Sequence, residues 1–518
     1  MSRYLIVGNP VVTLGDEPYL EDGAVIVENE RIVATGPREE LAQAGEFERV
    51  LGSPQHIVMP GFVNAHFHSQ SAAGPGLFDT IFELNNLQMN AGSGTPTEQD
   101  VYVVTQYALA MAIKGGQTGA LDMFYGTPGH ELLGADAALR AYADIGFRGA
   151  VALTCRDQNR YIHEPDECFL ARLPSELAAE VSASGMGYAW PVDDVLTTFE
   201  RVAERWQDRH GRLRVQVGAD WTPSCSDDLY RRCRGLADAY ATGLTSHVLE
   251  TRAEMVHSLE AHGETAVRRL DRLGVLGDDF CAAHFVWATD DDLDVFAESG
   301  SVAATCPGSN LRLCAGIARV RDLMARGGRQ AFGTDNISFS DDDDFFQELR
   351  LACLLQRSPM QIDVGRLDSV EVLRAAGENG ARAIGFEGQV GALRPGMLAD
   401  MLVLRRERVF GPEGRYANAR PLDVILDRAN ASDLESVLIA GRIVLDDGVL
   451  TTVDEARLAE QLRDATTRLY AKSAAGQRLW ELGDLVMPTA IDFYRRWYDL
   501  GVEPAAVYNT SRPPALEP

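Results

Sequence analysis

The sequence predicts an α/β protein with a central (β/α)8 barrel, a small β-domain formed by both chain ends and a helical C-terminal tail. In the central part, eight short apolar runs alternate with stretches of helical periodicity, and eight strands are what such a barrel requires. β-rich runs occur before and after this part, and the last segment has apolar residues at helical spacing.

These runs divide the chain into four predicted segments. Residues 1–58 contain YLIVGNPVVTL, GAVIVENERIVATG and QHIVM, which are broken by Gly, Asp and Pro and predict a small antiparallel sheet. Residues 59–391 contain the eight barrel runs, namely FVNAHFH, GALDMF, RGAVALTC, RVQVGAD, LTSHVLE, FCAAHFVW, SVAATC and QAFGTDN. Residues 392–453 return to β-rich runs, so we expect them to complete the β-domain, and residues 454–518 form the helical extension.

Composition excludes several classes of partner. The 518 residues include 48 Lys+Arg and 76 Asp+Glu, a formal net charge of −28, which repels nucleic acid and anionic membrane surfaces. With 46% hydrophobic residues the chain is expected to be globular. The N-terminus lacks the pattern of an export signal, and no apolar run is long enough to span a membrane. Because the eight cysteines are scattered without a CxxC pair, we expect a cytoplasmic protein with free thiols.

The triplet His66-Phe67-His68 ends the first barrel run. Residues two apart on a strand point to the same face, so both imidazoles are expected to project into the barrel at its C-terminal mouth. The triplet alone is weak evidence, and a pair of core or surface histidines is the alternative.

Three more runs place chemically active residues at strand ends: His247 in LTSHVLE, His284 in CAAHFVW and Asp335 in FGTDN. The C-terminal ends of barrel strands meet at one mouth, so these side chains are expected to converge. Glu250 follows His247 by three residues and can reach the same mouth as a proton carrier. An exposed acid at a helix start is the alternative for Glu250.

Three imidazoles and one carboxylate suit a divalent cation such as Zn²⁺ with a position left for water. Such a cation lowers the pKa of its water towards 7 and provides hydroxide near neutral pH.

The motifs PGFVNAHFH, HVLE, AAH, SNLRL and GTDN, in this order and spacing, resemble the amidohydrolase superfamily. The resemblance is to its cytosine deaminase-like and chlorohydrolase-like (triazine hydrolase) branch. It extends from DGAVIVENERIVATGP to IAGRIVLDDG and so covers roughly residues 1–450. It implies a distorted TIM barrel with a composite β-sandwich from both termini.

The resemblance also implies roles for the converging residues. His66, His68, His247 and Asp335 would hold one divalent metal, for which Zn²⁺ is favoured and Fe²⁺ is also suited. His284 would orient the hydroxide or polarise the substrate, and Glu250 would be the proton shuttle. Asp335 would also act as a base towards the water.

The scarcity of lysine predicts the number of metals. Of the 48 basic residues only Lys114 and Lys472 are lysines. Many binuclear members of the superfamily bridge two metals through a carboxylated lysine on a middle barrel strand, and the barrel runs after Lys114 contain none. We therefore predict a mononuclear site and a structural role for Lys114.

The predicted reaction is hydrolytic displacement of a leaving group from an sp² carbon. In this branch, deamination of an N-heterocyclic or amidine-type small molecule is the favoured reaction. Hydrolytic dechlorination of a chlorinated heteroaromatic compound is the alternative, because both reactions use the same residues. A non-catalytic scaffold with this fold is a further alternative, which the occupied ligand positions disfavour.

The sequence does not indicate the identity of the substrate as clearly as the class of reaction, because the segment SQSAAGPGLFDTIFELNNLQMN departs from the usual pattern of the branch. Gln70 and Phe78 in this segment, together with Trp287 and Asn310, are candidates for lining the substrate pocket, with loop packing as the alternative. The resemblance implies a homo-oligomer, a dimer or larger, and the helical tail could cover a neighbour or the outer face of the barrel.

Overall fold

A computed structural model describes residues 2–73, 80–89, 96–126, 130–187, 191–336, 342–357, 365–412, 415–469 and 474–498. Its first seven strands come from the N-terminal segment: β1(Arg3–Gly8), β2(Val11–Val12), β3(Tyr19–Leu20), β4(Gly23–Glu28), β5(Arg31–Pro37), β6(Arg49–Gly52) and β7(His56–Pro60). The central part contributes β8(Phe62–His68), β9(Gln117–Tyr125), β10(Arg148–Cys155), β11(Leu213–Trp221), β12(Leu244–Val248), β13(Phe280–His284), β14(Val302–Thr305), β15(Arg329–Phe332) and β16(Asp335–Asn336). The last strands are β17(Met401–Arg405), β18(Leu434–Ile439), β19(Arg442–Asp446) and β20(Val449–Leu450).

Helices connect and cover these strands. Those described are Arg38–Leu41, Phe82–Met89, Glu98–Lys114, Ala135–Ile145, Asp166–Arg172, Ser175–Ser184, Val192–Trp206, Asp227–Tyr240, Arg252–His262, Ala266–Arg272, Asp290–Ser299, Pro307–Arg312, Val320–Ala325, Phe345–Leu355, Ser369–Arg374, Gly380–Ala383, Arg406–Phe410, Pro421–Arg428, Glu455–Leu469 and Ala474–Tyr498. Among the helices of the described residues, none combines the length and the apolarity that crossing a membrane requires.

Strands β8 to β15 form a parallel barrel in chain order, with a helical connection after most strands. The eighth strand is interrupted after β15 and continues as β16, which pairs with β8 through Asp335 and Phe67. Gly333 lies at the interruption, where an added Cβ would stand 2.8 Å from the carbonyl oxygen of His66. Because glycine has no side chain, β15 and β16 can approach β8 at Gly333, and this places Asp335 beside the histidines of β8.

Two sheets, not one, accompany the barrel. The N-terminal segment alone forms a four-stranded sheet in the order β5-β4-β1-β6, in which β1 and β6 are parallel. Both chain ends share a seven-stranded sheet in the order β20-β19-β18-β17-β7-β2-β3, where β7 and β17 are antiparallel. The predicted fold class is confirmed, although the segment 1–58 divides between two sheets. The boundaries of the four predicted segments stay predictions.

A buried ion pair connects the barrel to the shared sheet. The guanidinium of Arg148, on β10, donates to both carboxylate oxygens of Asp400 at 2.7 and 3.0 Å, and neither side chain is exposed by more than 1%. Asp400 also accepts the backbone N–H of Ala440. Its two oxygens are therefore satisfied, as burial of a charged pair requires.

The C-terminal helix Ala474–Tyr498 packs onto its own chain. It belongs to an apolar cluster separate from the main core. The buried members of this cluster are Leu84, Leu87, Tyr161, Ile162, Phe169, Leu173, Val181, Met186, Ala253, Leu482, Val486, Ala490, Phe493, Tyr494 and Trp497. The helix therefore covers the barrel beside the helices Phe82–Met89 and Arg252–His262.

Candidate active site

Four strand ends of the barrel bring the predicted residues together at one mouth. His66 and His68 project from β8 with ring centroids 4.8 Å apart. The His247 ring, at the end of β12, lies 4.9 Å from that of His66. His284, the last residue of β13, places its ring 5.0 Å from the His66 ring. Asp335 begins β16, directly beside β8.

The donor atoms of these side chains face one another. Oδ1 of Asp335 lies 3.3 Å from Nε2 of His66 and 3.4 Å from Nε2 of His68. Nε2 of His68 is also 3.4 Å from Nε2 of His247. Two overlapping groups in the described part of the chain, His66/His68/His247 and His66/His284/Asp335, have one donor atom per residue within 4.8 Å of each other. The arrangement can hold a divalent cation, and His66 is common to both groups.

Hydrogen bonds to backbone carbonyls orient two of the imidazoles. Nδ1 of His68 lies 2.8 Å from the carbonyl oxygen of Met123, and Nδ1 of His247 is bonded to that of Asp220. A carbonyl oxygen only accepts, so Nδ1 carries the proton in both rings and Nε2 keeps its lone pair for the centre. This is the usual outer hydrogen bond of metal-binding histidines.

Burial sets the charges of the cluster. It lowers the pKa of His66 to about 3 and that of His247 well below its ordinary value. Both rings are therefore neutral near pH 7 and can donate lone pairs. Burial alone would raise the pKa of Asp335, but the close approach of His66 and the neighbouring imidazoles outweighs it and lowers the pKa. Asp335 is consequently a carboxylate, and Ser309 Oγ donates to its Oδ2.

His66 gives an independent test of whether a cation fits. It is fully buried, and neither of its ring nitrogens has a hydrogen-bond partner among the described residues. Leaving a buried polar atom without a partner is costly. A cation bound to Nε2 would satisfy that atom, so the donor set and its surroundings fit a divalent metal.

Glu250 stands across from His284. The two side chains are fully buried or nearly so, and Oε2 of Glu250 lies 3.8 Å from Nε2 of His284. Neither carboxyl oxygen of Glu250 has a hydrogen-bond partner among the described residues. Burial, reinforced by the charges of Asp335 and Glu254, raises the pKa of Glu250 well above its ordinary value. The raised pKa favours the protonated form of Glu250, which is the form that a proton donor needs.

The backbone turns sharply where these residues leave their strands. Leu249, His284 and Asp335 have φ values of 53°, 70° and 60°. Non-glycine residues seldom adopt this left-handed conformation, which costs on the order of 1–3 kcal/mol and is common at functional sites. The turns direct Glu250, His284 and Asp335 towards the same space at the mouth.

Sequence reasoning missed Glu254, which supports the Glu250 loop. Its buried carboxyl accepts the backbone N–H of Leu249 at 2.6 Å and that of Glu250 at 2.7 Å, and it also accepts the indole N–H of Trp221 at 3.0 Å. Burial raises the pKa of Glu254 to about 7, against the opposing effect of these hydrogen bonds. The Thr251-x-x-Glu254 spacing, typical of a helix N-cap, was the available signal.

Sequence reasoning also missed Tyr125 and Asp220. The ring of Tyr125, at the end of β9, stacks on that of His68 with centroids 5.6 Å apart. Its hydroxyl donates to Oδ1 of Asp220 at 2.8 Å, and the backbone carbonyl of Asp220 is the partner of His247. These two residues therefore contact ligand candidates from outside the cluster.

The four predicted substrate-lining residues have different surroundings. Gln70 exchanges two hydrogen bonds with the backbone of Tyr125, and the indole N–H of Trp287 donates to the carbonyl oxygen of Ala315 at 2.7 Å. Asn310 faces His284, with Oδ1 3.0 Å from Nδ1 of the imidazole. Phe78 lies outside the described residues. Contact with a substrate stays a prediction for all four.

Lys114 ends the helix Glu98–Lys114 and pairs with Glu455 of the C-terminal segment. It lies away from the cluster, which agrees with the structural role predicted for it.

Comparison with known proteins identifies the family. The model of the amidohydrolase family matches residues 57–444, and that of a bacterial imidazolonepropionase-like composite domain matches residues 23–44. The chain belongs to the amidohydrolase family. This confirms the predicted superfamily and the predicted class of metal-dependent hydrolase acting on C–N bonds.

Similar members of the amidohydrolase family are deaminases by name. The chain is 30% identical over 463 residues to a 5-methylthioadenosine/S-adenosylhomocysteine deaminase of Syntrophobacter fumaroxidans, covering 89% of this chain and 96% of the relative. It is 26% identical over 475 residues to a 5'-deoxyadenosine deaminase of Methanopyrus kandleri, covering 90% of this chain and 99% of the relative.

Solved structures of amidohydrolases show the same architecture. An adenosine deaminase from Xanthomonas campestris with bound zinc superposes with a TM-score of 0.78 at 26% identity, covering 90% of this chain and 98% of that one. An atrazine chlorohydrolase from Arthrobacter aurescens complexed with zinc gives a TM-score of 0.74 at 22% identity, covering 89% and 100%. The second likeness shows the fold alone.

Proposed function

We propose that this amidohydrolase is a mononuclear, zinc-dependent deaminase that hydrolyses the exocyclic amino group of an adenine nucleoside altered at its 5′ position. One observation carries the proposal: the buried carboxyl of Glu250, which has no hydrogen-bond partner among the described residues, faces His284 beside the buried cluster of His66, His68, His247 and Asp335. The names and coverage of the relatives from S. fumaroxidans and M. kandleri support the choice of substrate class.

His66, His68, His247 and Asp335 are the proposed ligands of one Zn²⁺. When bound, a divalent cation of this kind lowers the pKa of water and makes hydroxide available near neutral pH. Nδ1–H bonds to Met123 and Asp220 hold the His68 and His247 rings with Nε2 towards the centre. Preorganised ligands of this type need little rearrangement when the cation binds.

The chain's own acids and bases account for the proton transfers of deamination. The low pKa of Asp335 keeps it ionised, so it is available to accept a proton from the attacking water. The raised pKa of Glu250 favours its protonated form, which delivers a proton to the ring nitrogen beside the reacting carbon. Addition of water and loss of the amino group as ammonia then balance the reaction.

His284 is proposed to polarise or orient the reacting group. Its Nδ1–H donates to Oδ1 of Asn310, because an amide oxygen only accepts, so Nε2 is left facing Glu250. Burial lowers the pKa of His284 and keeps the ring neutral. A neutral ring between Glu250 and the cluster can accept a hydrogen bond from water or from the protonated carboxyl.

A panel of substrates tests the proposal. The zinc-loaded protein is incubated with 5′-deoxyadenosine, 5-methylthioadenosine, S-adenosylhomocysteine and a chlorinated triazine, and both ammonia and chloride are measured. We expect ammonia from at least one nucleoside and no chloride. Chloride release without ammonia would support the dechlorination alternative, and release of neither product would contradict the proposed function.

The cytoplasmic location expected from the scattered cysteines and the homo-oligomeric state implied by the resemblance stay predictions. The proposed binding partner of the protein in this reaction is its small-molecule substrate.

A further inference from the structure

The C-terminal helix Ala474–Tyr498 lies beyond residue 444, where the match to the family ends. Relatives that align over nearly their whole length cover about nine tenths of this chain. The helix packs on Leu84, Phe169 and Ala253 through its own apolar cluster. The helix therefore lies beside the loop that carries Glu250.

Tyr498, the last residue of the helix, reaches that loop through Glu83. The Tyr498 hydroxyl donates to Oε2 of Glu83 at 3.0 Å, and the hydroxyl of Thr251 donates to the other oxygen, Oε1. Glu83 is 2% exposed, so a buried carboxyl accepts both hydrogen bonds. Thr251 directly follows Glu250 in the chain.

A second contact involves the next residue. Nε of Arg252 donates to the backbone carbonyl of Trp497 at 2.9 Å. Ala253 is fully buried in the apolar cluster of the helix. Three consecutive residues after Glu250 are therefore held by the C-terminal helix, either directly or through Glu83.

On the inner side, Glu254 accepts the backbone N–H groups of Leu249 and Glu250. The backbone of Glu250 is thus held from both sides, whereas its own carboxyl has no hydrogen-bond partner among the described residues. The direction of that carboxyl consequently depends on the backbone that carries it.

We propose that the helix Ala474–Tyr498 is a positioning element of the active site, and that Tyr498 acts through Glu83 and Thr251 to fix the loop carrying Glu250. The inference rests on the proposed function of Glu250 as proton donor. Tyr498 itself is a positioning residue and touches no reacting atom.

Backbone hydrogen exchange tests the positioning without any turnover. The full-length, metal-loaded Tyr498→Phe protein is compared with wild type, and Tyr102→Phe is the matched control. Tyr102 also donates its hydroxyl to a carboxylate, Asp144, at 2.9 Å, but on the helix Glu98–Lys114. Loss of one buried hydrogen bond predicts about fivefold faster exchange of residues 249–254 in Tyr498→Phe, with no change there in the control.

Turnover supplies the second readout. In Tyr498→Phe we expect kcat to fall about fivefold while KM and metal content stay unchanged, because only the proton-donating loop is loosened. Glu83→Gln retains the shape of the side chain but only one acceptor oxygen, so it should change exchange and kcat in the same direction. This variant decides the matter if Tyr498→Phe does not fold.

Exchange in residues 249–254 equal to wild type for both Tyr498→Phe and Glu83→Gln overturns the inference, whatever the activity. Absence of ammonia release by the wild type contradicts the proposed function instead, and the exchange result still decides whether the helix positions the loop. Faster exchange with unchanged kcat also overturns the inference that the helix is a positioning element, since the helix would then hold the loop without any effect on the reaction.

Discussion

The amide oxygen of Asn310 lies 3.0 Å from Nδ1 of His284, and both side chains are buried. The bond places the proton of His284 on Nδ1 and directs Nε2 towards Glu250, 3.8 Å away. Asn310, a predicted pocket residue, thus controls the tautomer of its neighbour.

Replacing Asn310 by Leu should lower kcat about tenfold with little change in metal content, because His284 loses the acceptor that fixes its tautomer. Asn310→Asp retains an acceptor at the same place and should lose less activity. Steady-state kinetics and metal analysis of both variants check this. Equal losses in the two variants would argue against tautomer control.

Glu250→Gln should retain the metal and lose about 10²–10⁴-fold in kcat, because an amide cannot deliver the proton that the buried carboxyl holds. Glu298→Gln is a suitable control, since this acid on the helix Asp290–Ser299 is exposed. Unchanged turnover in Glu250→Gln would remove this residue from the mechanism.

Removing the metal should abolish turnover and lower thermal stability, and one equivalent of Zn²⁺ per chain should restore both, because a ligand that binds only the folded state stabilises it. His247→Ala should bind the ion more weakly than wild type. Metal analysis and thermal unfolding follow these effects. Two tightly held ions per chain would contradict the mononuclear site.

The buried carboxyl of Glu348 should make the free energy of unfolding depend on pH. Burial raises its pKa to about 8, and Oε2 accepts the backbone N–H of Gly308 at 2.9 Å. Between the ordinary value of 4.5 and this raised pKa, the folded protein keeps a proton that the unfolded chain has lost. The free energy of unfolding therefore falls as pH rises through this window.

Glu348→Gln removes this titration. The variant should match wild type near pH 4.5 and exceed it at pH 9 by on the order of 2–5 kcal/mol in free energy of unfolding. Urea unfolding at both pH values measures the difference. A difference that does not change with pH would show that Glu348 is already ionised in the folded protein.

Arg148→Ala should lower the free energy of unfolding by about 3–5 kcal/mol, because it leaves the Asp400 carboxylate buried without its cation. Arg232→Ala serves as the control. Arg232 pairs with Asp193 at the surface, where such a pair contributes about 0–1 kcal/mol. Similar losses of unfolding free energy in Arg148→Ala and Arg232→Ala would show that burial of the Arg148–Asp400 pair does not increase the cost of breaking it.

Much of the barrel was predictable because its strands have a local pattern. Each of the eight apolar runs overlaps a barrel strand, and the last run spans both β15 and β16. The His66-x-His68 spacing places both rings on one face as expected. Parallel strands buried on both faces produce such continuous apolar runs. The convergence of the candidate residues could be predicted because the ends of those strands meet at one mouth; their roles stay predictions.

Contacts between distant segments were not predictable in the same way. The division of the N-terminal strands into two sheets depends on the pairing of β1 with β6 and of β7 with β17, which a period of two cannot specify. Glu83 and Tyr498 are 415 residues apart in sequence, and neither has a local pattern that indicates the other. The contacts of Glu254 are local by contrast, and the Thr251-x-x-Glu254 spacing was a sequence signal that could have indicated them.

The pairing of β7 with β17 makes completion of the fold a late event in protein synthesis. In the other sheet, the guanidinium of Arg31 on β5 likewise donates to the backbone carbonyl of Gly396, 365 residues away in sequence. At ribosomal rates of 5–20 residues per second, the first strands wait roughly 20–70 s for their partners. Until then the apolar edge of the nascent chain stays open to chaperones or to neighbouring polypeptides, so a chain truncated before β17 would be prone to aggregate.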